Sequence, residues 1–216
     1  MSKHENVSIA VIKRLPRYYR YLAELKHEGI VRISSRELSA RMGLTASQIR
    51  QDLNCFGGFG QQGYGYNIDM LYIEIGRILG VDSGYKTILI GAGNLGRAIA
   101  THMNFSERGF NLLGIFARNE AIAGQMINGI PVHPMTALDD FCKDNKPQVA
   151  VLCIPLENAE SVTASLVSLG IKGFWNFSHR DLSAKFPEAA FENVHLSDSL
   201  MTLCYRVSHE DAPKNN

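Results

Sequence analysis

Residues 87–105 read TILIGAGNLGRAIATHMNF, in the order of a strand, a glycine turn and a helix. Thr87 to Ile90 form a short apolar run. Gly91, Gly93 and Gly96 follow in the spacing GxGxxG, and an amphipathic segment continues from Leu95. Gly91 allows a tight turn, Gly93 lets another group approach the backbone, and Gly96 lets the helix close on the strand. The free amides and positive dipole of a helix N-terminus complete an anion cradle. A glycine turn that merely joins strand to helix explains one or two of these glycines better than all three.

Downstream, short apolar runs alternate with helical segments. The runs are LLGIF (112–116), IPV (130–132), VAVLCI (149–154) and GFWNF (173–177), and helices are expected from Leu95, Thr136 and Glu157. Such alternation predicts an α/β fold, a Rossmann-like parallel sheet covered on both faces, over residues 85–196. Gly91, Ala92, Gly93, Asn94, Leu95 and Gly96 are the expected pyrophosphate loop. Cys153 and Pro155 end a strand on the edge where such sheets bind ligands. A Rossmann site ordinarily offers an acid to the adenosine ribose at the end of its second strand. Here the sequence reads Phe116, Ala117, Arg118, Asn119. Arg118 suits a 2′-phosphate, so NAD(H) and NADP(H) both remain open. After the expected sheet, Ser197 to Val207 carry Leu200, Leu203 and Cys204 at helical spacing. This segment, in a third region 197–216, needs another surface to pack on.

Upstream, VDSGYK (81–86) has the composition of a linker, and a domain boundary is expected near Gly84. Within 1–84, Pro16 suits the first turn of a helix carrying Tyr18, Leu22 and Leu25, with Gly29 as its stop. Ile30 to Ile33 is a short extended piece. Ser34 with Glu37, then Thr45 with Gln48, read as two capping boxes that open closely spaced helices. The second of these helices turns Ile49 and Leu53 inward. GGFGQQGYGYN (57–67) suits a β-ribbon, and an amphipathic helix spans Asn67 to Gly80 with Leu71, Ile75 and Ile78 on one side. Together these features predict a winged helix-turn-helix.

Charge supports that division. The chain of 216 residues has a net charge of only +1, yet up to Gly60 it carries ten Lys and Arg against five Asp and Glu. A basic first segment on a nearly neutral chain fits a polyanionic partner. With Ile49 and Leu53 inward, Ser47, Gln48, Arg50 and Gln51 fall on or near the outer face at the start of the third helix. Arg forks onto guanine and Gln onto adenine. Arg14, Arg17 and Arg20 are expected to hold phosphates. For any one of these residues a solvated polar face is an equally good reading; the set favours double-stranded DNA.

Other functions find less support. His102, His133, His179 and His195 are scattered, with no pairing to Cys, Ser or carboxylate that suggests catalysis. Cys55, Cys142, Cys153 and Cys204 lie far apart with no CxxC pair, which suggests neither a disulfide framework nor a zinc site and favours a reducing cytoplasm. No run is apolar for long enough to span a membrane, and Met1 to Asn6 is polar, unlike a signal peptide.

Five ordered blocks carry a resemblance: RLPRYYRYL from Arg14, ISSRELS from Ile33, TASQIRQDLNCFGGFGQQGYGYN from Thr45, GAGNLGRA from Gly91 and IKGFWNFS from Ile171. Together they resemble the Rex family of redox-sensing repressors over nearly the whole chain. The resemblance implies a homodimer on an inverted-repeat operator, with a swapped C-terminal helix crossing to the partner near its nucleotide site. It implies that NAD+ permits DNA binding and NADH releases it. Ser47, Gln48, Arg50 and Gln51 become base or phosphate contacts, Phe59 and Gly60 the minor-groove wing, and Gly91 to Gly96 the pyrophosphate loop. The sequence departs from the family pattern at Ala117, at Met103, where relatives carry a tyrosine nearby, and at His195, where they carry an aspartate nearby. All three lie in the sensing half, and together they predict a weakened NADH response. A constitutive or NADP(H)-responsive repressor, and an oxidoreductase or CoA-binding enzyme with an accessory helical domain, are the competing readings.

The basic first segment generates a prediction of its own. Affinity for random duplex DNA should fall steeply as salt rises, because cationic side chains release counterions from phosphates. Fluorescence anisotropy across a salt series measures it. A flat dependence would favour the enzyme reading.

Overall fold

The computed structural model describes residues 7–57, 60–61 and 64–210, the side chains of 60, 61 and 210 apart. The chain divides into two compact units, 1–82 and 83–216, close to the boundary expected near Gly84.

The first unit begins with α1 (Ile9–His27). It starts before Pro16, contrary to the expectation that proline sits in the first turn. Burial explains the difference, because the inward stripe already includes Val11 and Leu15 and continues through Tyr18, Leu22 and Leu25. Pro16 lies on the exposed side. Past the helix end, Gly29 adopts φ +74°, and the Ile30 amide donates back to the Leu25 carbonyl at 3.0 Å. This is the αL stop expected from Gly29.

β1 (Arg32–Ile33) leads to α2 (Ser35–Met42), whose capping box of Ser34 and Glu37 forms as expected. α3 (Ala46–Asn54) follows, with the Thr45 hydroxyl accepting the Gln48 amide at 3.1 Å. The second expected capping box is only half made, because the Gln48 side chain turns to Asp52 instead. β2 (Gly60–Gln61) and β3 (Gly65–Asn67) complete an antiparallel sheet in the order β1-β3-β2. Phe59, one of the expected wing contacts, lies outside the described residues. α4 (Ile68–Leu79) packs Leu71 and Ile75 into the same core, with Ile78 at its margin.

A buried polar cluster ties α1 to α3. Asp52 is 1% exposed. Its carboxylate accepts from Arg14 Nε and Nη2, both at 2.7 Å, from the Tyr18 hydroxyl at 2.9 Å and from Gln48 Nε2 at 2.8 Å. Burial alone would raise this carboxyl, but the bonds from Arg14, Gln48 and Tyr18 outweigh it and hold the group below the usual carboxylate range. The Arg14 guanidinium is raised in turn, chiefly by its hydrogen bonds to Asp52.

The second unit is a seven-stranded sheet in the order β10-β9-β8-β4-β5-β7-β6. Its parallel strands are β4 (Tyr85–Ile90), β5 (Phe110–Ala117), β7 (Ile130–Pro134), β8 (Val149–Leu152), β9 (Gly173–Asn176) and β10 (Ala190–Asn193). β6 (Met126–Ile127) pairs antiparallel with β7 at one edge. α5 (Asn94–His102) packs on one face through Ile99 and Ala100, against Leu89, Ile115 and Val151. α6 (Leu138–Asn145) and α7 (Leu156–Ser168) pack on the other through Leu138, Cys142 and Leu166. Ile88 to Ile90 of β4 are buried on both faces, as expected of a central parallel strand. The sequence did not announce β6 or β10, two short edge strands. α8 (Leu196–Glu210) closes the chain, starting one residue before the expected Ser197.

Asp52→Ala should destabilise the protein by about 3 kcal/mol at neutral pH, since it leaves Arg14 without its buried partner. Because the carboxyl's folded pKa is lowered, its contribution is complete above about pH 4 and is lost as pH falls through the lowered value. The difference in thermal stability between wild type and variant should therefore shrink in acid. A difference that is negligible at pH 7, or constant with pH, would contradict this account.

Candidate functional site

The residues singled out by sequence gather in two places, one in each unit. On α3, Ser47, Arg50 and Gln51 are exposed on one helical face. Arg50 Nη1 donates to the Ser35 hydroxyl at 3.1 Å, which steadies its long side chain at the start of α2. Asn54 continues the face one turn later and is exposed too. The sequence reading missed it, although its spacing of seven from Ser47 was available.

Arg14 and Gln48 do not join this face. The guanidinium fork expected to hold phosphate is spent on Asp52, and the Gln48 amide expected to read a base is bonded to the same carboxylate. The physical reason is that a buried carboxylate requires several donors, and these are the nearest. Arg17 is exposed, but its Nη2 donates to the Met42 carbonyl and so caps the end of α2. Arg20 is also exposed, its guanidinium 5.7 Å from the Tyr21 ring. Gly60 pairs with Tyr66 in the ribbon. The unit thus presents a polar helix face, with cations beside it and a short ribbon after it.

In the second unit a cleft of about 710 Å³ opens at the carboxyl ends of β4, β5 and β8. The chain leaves β4 in one direction along the sheet to β5 and returns on its other side at β8, and ligands bind α/β sheets at such a switch point. Gly91, Ala92, Gly93, Arg118, Cys153 and Pro155 all line the cleft, as the sequence suggested. Asn94 and Leu95 begin α5 as exposed residues and are not among the lining residues, and Gly96 is buried behind the loop.

The glycines are held there by contact. A Cβ on Gly96 would lie 1.8 Å from the Gly91 carbonyl oxygen, and one on Gly91 would lie 2.2 Å from the Cys153 carbonyl oxygen. Gly91 also has φ +104°. A Cβ on Gly93 would meet nothing within 4 Å, so that backbone faces open space. Gly93 caps α5 without a side-chain hydrogen bond, leaving the first amides of the helix for a ligand. A phosphate chain fits this cradle.

Other lining residues were not predicted: Arg97, which donates to the Ala92 carbonyl at 3.1 Å, Asn119, Asn158, and the apolar side chains of Ile122, Met135 and Val162. They come from four separate segments, and no local signal links them. Arg118 Nη1 donates to Asn158 Oδ1 at 3.0 Å, across the outer end of the cleft. Burial pushes the Cys153 thiol up to about 12, so it stays protonated at neutral pH and is no nucleophile. His133 lies among the rings of Phe116 and Phe141. Among the described residues, no group of His, Cys, Asp and Glu is placed to hold a metal ion.

Comparison with known proteins gives the following matches. Residues 6–54 match the family described as "Putative DNA-binding protein N-terminus", and residues 82–180 match the CoA binding domain family. The chain is 55% identical over 212 residues to the redox-sensing transcriptional repressor Rex of Thermoanaerobacter pseudethanolicus, covering 98% of this chain and 94% of that one. It is 52% identical over 211 residues to the repressor of the same name from Clostridium perfringens strain SM101, covering 98% and 99%. Two solved structures superpose with TM-scores of 0.87. One is RSP with β-NAD+ and operator DNA, at 54% identity over 95% of this chain and 94% of that one. The other is RSP with β-NADH, at 51% identity over 95% and 96%.

Two glycine substitutions should separate packing from ligand approach. Gly96→Ala should destabilise the fold by about 1–3 kcal/mol or more, because its Cβ meets backbone. Gly93→Ala should cost less than about 1 kcal/mol of stability, yet weaken nucleotide binding at least ~10-fold by filling the space over the loop. Calorimetric melting and titration test both. Unchanged nucleotide affinity in Gly93→Ala would remove the phosphate from that position.

Proposed function

This chain belongs to the Rex family of redox-sensing transcriptional repressors, and from that membership we propose how its two units divide the work. The protein is a DNA-binding repressor, not an enzyme, and NAD(H) is its ligand. The observation that carries this reading is the agreement over 95% of the chain with a structure that holds both β-NAD+ and operator DNA.

In the first unit α3 enters the major groove. Ser47, Arg50 and Gln51 touch base edges or phosphates, Arg17 and Arg20 lie beside the backbone, and the ribbon that begins at Gly60 follows the minor groove. Arg14 and Gln48 act from behind, holding α3 at its angle through Asp52. In the second unit the Gly91–Gly93 turn and the start of α5 hold the pyrophosphate, Arg118, Asn158 and Val162 border the adenosine, and Cys153 and Pro155 line the edge without reacting. When bound, the dinucleotide supplies a nicotinamide ring that is cationic when oxidised and neutral when reduced. This chain's part is to fix that ring and to favour one conformation for each state, the oxidised form permitting DNA binding and the reduced form releasing it. Ala117 offers no charge-assisted bond to the ribose, so NADH is held less tightly than a site with an acid would hold it.

α8 supports the dimer. Leu196, Leu200, Leu203 and Val207 fall along one side of the helix and are each more than half exposed. Burying such side chains is worth about 1.5–3 kcal/mol each, and a second copy, with the helix crossing to its partner, supplies the surface. No helix among the described residues is long and apolar enough to cross a membrane. The cytoplasm, where DNA and dinucleotides are both present, is the location we propose.

Two expected outcomes test this reading. Arg50→Ala should weaken operator binding by about 1–3 kcal/mol and relax selectivity at one position of each half-site, while Arg20→Ala should weaken all duplexes alike and make the salt dependence shallower. Equal sequence-selective losses in both would overturn the assignment. Leu200→Asp with Leu203→Asp should yield monomers in sedimentation and replace two-fold protection of an inverted repeat by weak or absent footprints. A dimer with an intact footprint would remove α8 from the interface.

A further inference from the structure

We propose that the adenosine end of the cleft is built to hold a 2′-phosphate, so that the protein binds NADP(H) more tightly than NAD(H), with Arg118 as the phosphate ligand. The inference rests on the reading of the cleft as a dinucleotide site and deepens it.

The second strand of a Rossmann unit delivers its last residue to the adenosine ribose. A carboxylate there accepts from the ribose hydroxyl and repels a phosphate in its place. β5 delivers Ala117, which is 5% exposed and has no polar side-chain atom. The attraction for a hydroxyl is therefore missing, and so is the repulsion that keeps a phosphate out.

The next residue supplies the opposite charge. Arg118 lines the cleft and is exposed at its rim, where its guanidinium is tethered to the neutral Asn158 amide at 3.0 Å. Among the described residues it has no carboxylate within ion-pair distance. A guanidinium carries five donors in a fixed fork, and the tether uses one, so donors remain for a phosphate. An ordinary surface arginine is a solvated, mobile cation. This one bridges the end of β5 to the first turn of α7 and lines the cleft beside Ala117. Asn119, also on the cleft, accepts the Ala121 amide through Oδ1 at 3.0 Å, which leaves its NH2 group as a further donor.

The charge balance of the cleft points the same way. Its charged lining residues are Arg97, Arg118 and Glu157. The lining therefore carries two cations against one carboxylate, a positive balance. A phosphate monoester brings a charge of about −1.5 to −2 at neutral pH, and charge-assisted bonds from a planar fork are the strong ones.

Isothermal titration of the full-length protein, freed of nucleotide, with NAD+, NADH, NADP+ and NADPH tests the proposal. Each phosphorylated form should bind about 10-fold to 100-fold tighter than its counterpart, the gain expected of one or two charge-assisted hydrogen bonds. Arg118→Ala should abolish that difference by weakening NADP+ and NADPH more than NAD+ and NADH, and Arg118→Lys should keep part of it. Ala117→Asp should reverse the preference. If that buried charge prevents folding, the two Arg118 variants decide alone. Tighter binding of NAD(H) than of NADP(H), or an equal loss of all four ligands in Arg118→Ala, overturns the inference. If NADH is the tighter ligand and still releases operator, the proposed function stands while this inference falls. If no dinucleotide binds, both fall.

Discussion

The Asp52 carboxylate lies out of water, and three side chains from two helices compensate it through four hydrogen bonds. Arg14 and Tyr18 reach it from α1 and Gln48 from one turn earlier on α3. Such a cluster is favourable only in one geometry, because a buried charge with a missing partner costs several kcal/mol. It therefore fixes the rotation of α3 about its own axis and its angle to α1, which packing of Ile49 and Leu53 alone would leave less sharply defined. With Asp52 inward, Ser47, Arg50 and Gln51 must point outward. The face we propose to read DNA is the complement of the face that holds Asp52.

The second unit depends on the opposite device, the absence of side chains. Gly96 touches Gly91, and Gly91 touches the carbonyl of Cys153, so strand, turn and helix meet at backbone distance. That closeness brings the free amides of α5 to the mouth of the cleft. A further absence, the missing carboxylate at Ala117, gives the cleft its individual character, since it takes away the usual partner of a ribose hydroxyl and leaves Arg118 next to it on the lining. Scaffold and specificity are set by different residues, which is why one fold accommodates several dinucleotides.

Local chemistry was legible in the sequence wherever the relevant partners are neighbours along the chain. The Ser34 and Glu37 box, the Gly29 stop and the GxGxxG turn each involve residues a few positions apart, and each formed where its spacing indicated. Long-range partners were not legible. Arg14 reads as a phosphate ligand until Asp52, 38 residues later, claims it, and the same carboxylate diverts Gln48 from its cap. Pro16 suggested a helix start because its solvent-facing position inside α1 is a tertiary fact. The short edge strands β6 and β10 carry little periodicity. The cleft was half legible: its glycines and Arg118 stood out, whereas Asn158 and Val162 join them only through folding.

A repressor of this family works if dinucleotide redox state and operator affinity are linked, and linkage requires that oxidised and reduced ligands differ in their preference for the two conformations. The most direct test is operator occupancy, followed by fluorescence anisotropy, as the NADH/NAD+ ratio is raised at constant total nucleotide above saturation, and again with NADPH/NADP+. The account predicts that occupancy falls as the reduced fraction rises. Occupancy that stays constant across both series, with the cleft saturated throughout, would contradict it.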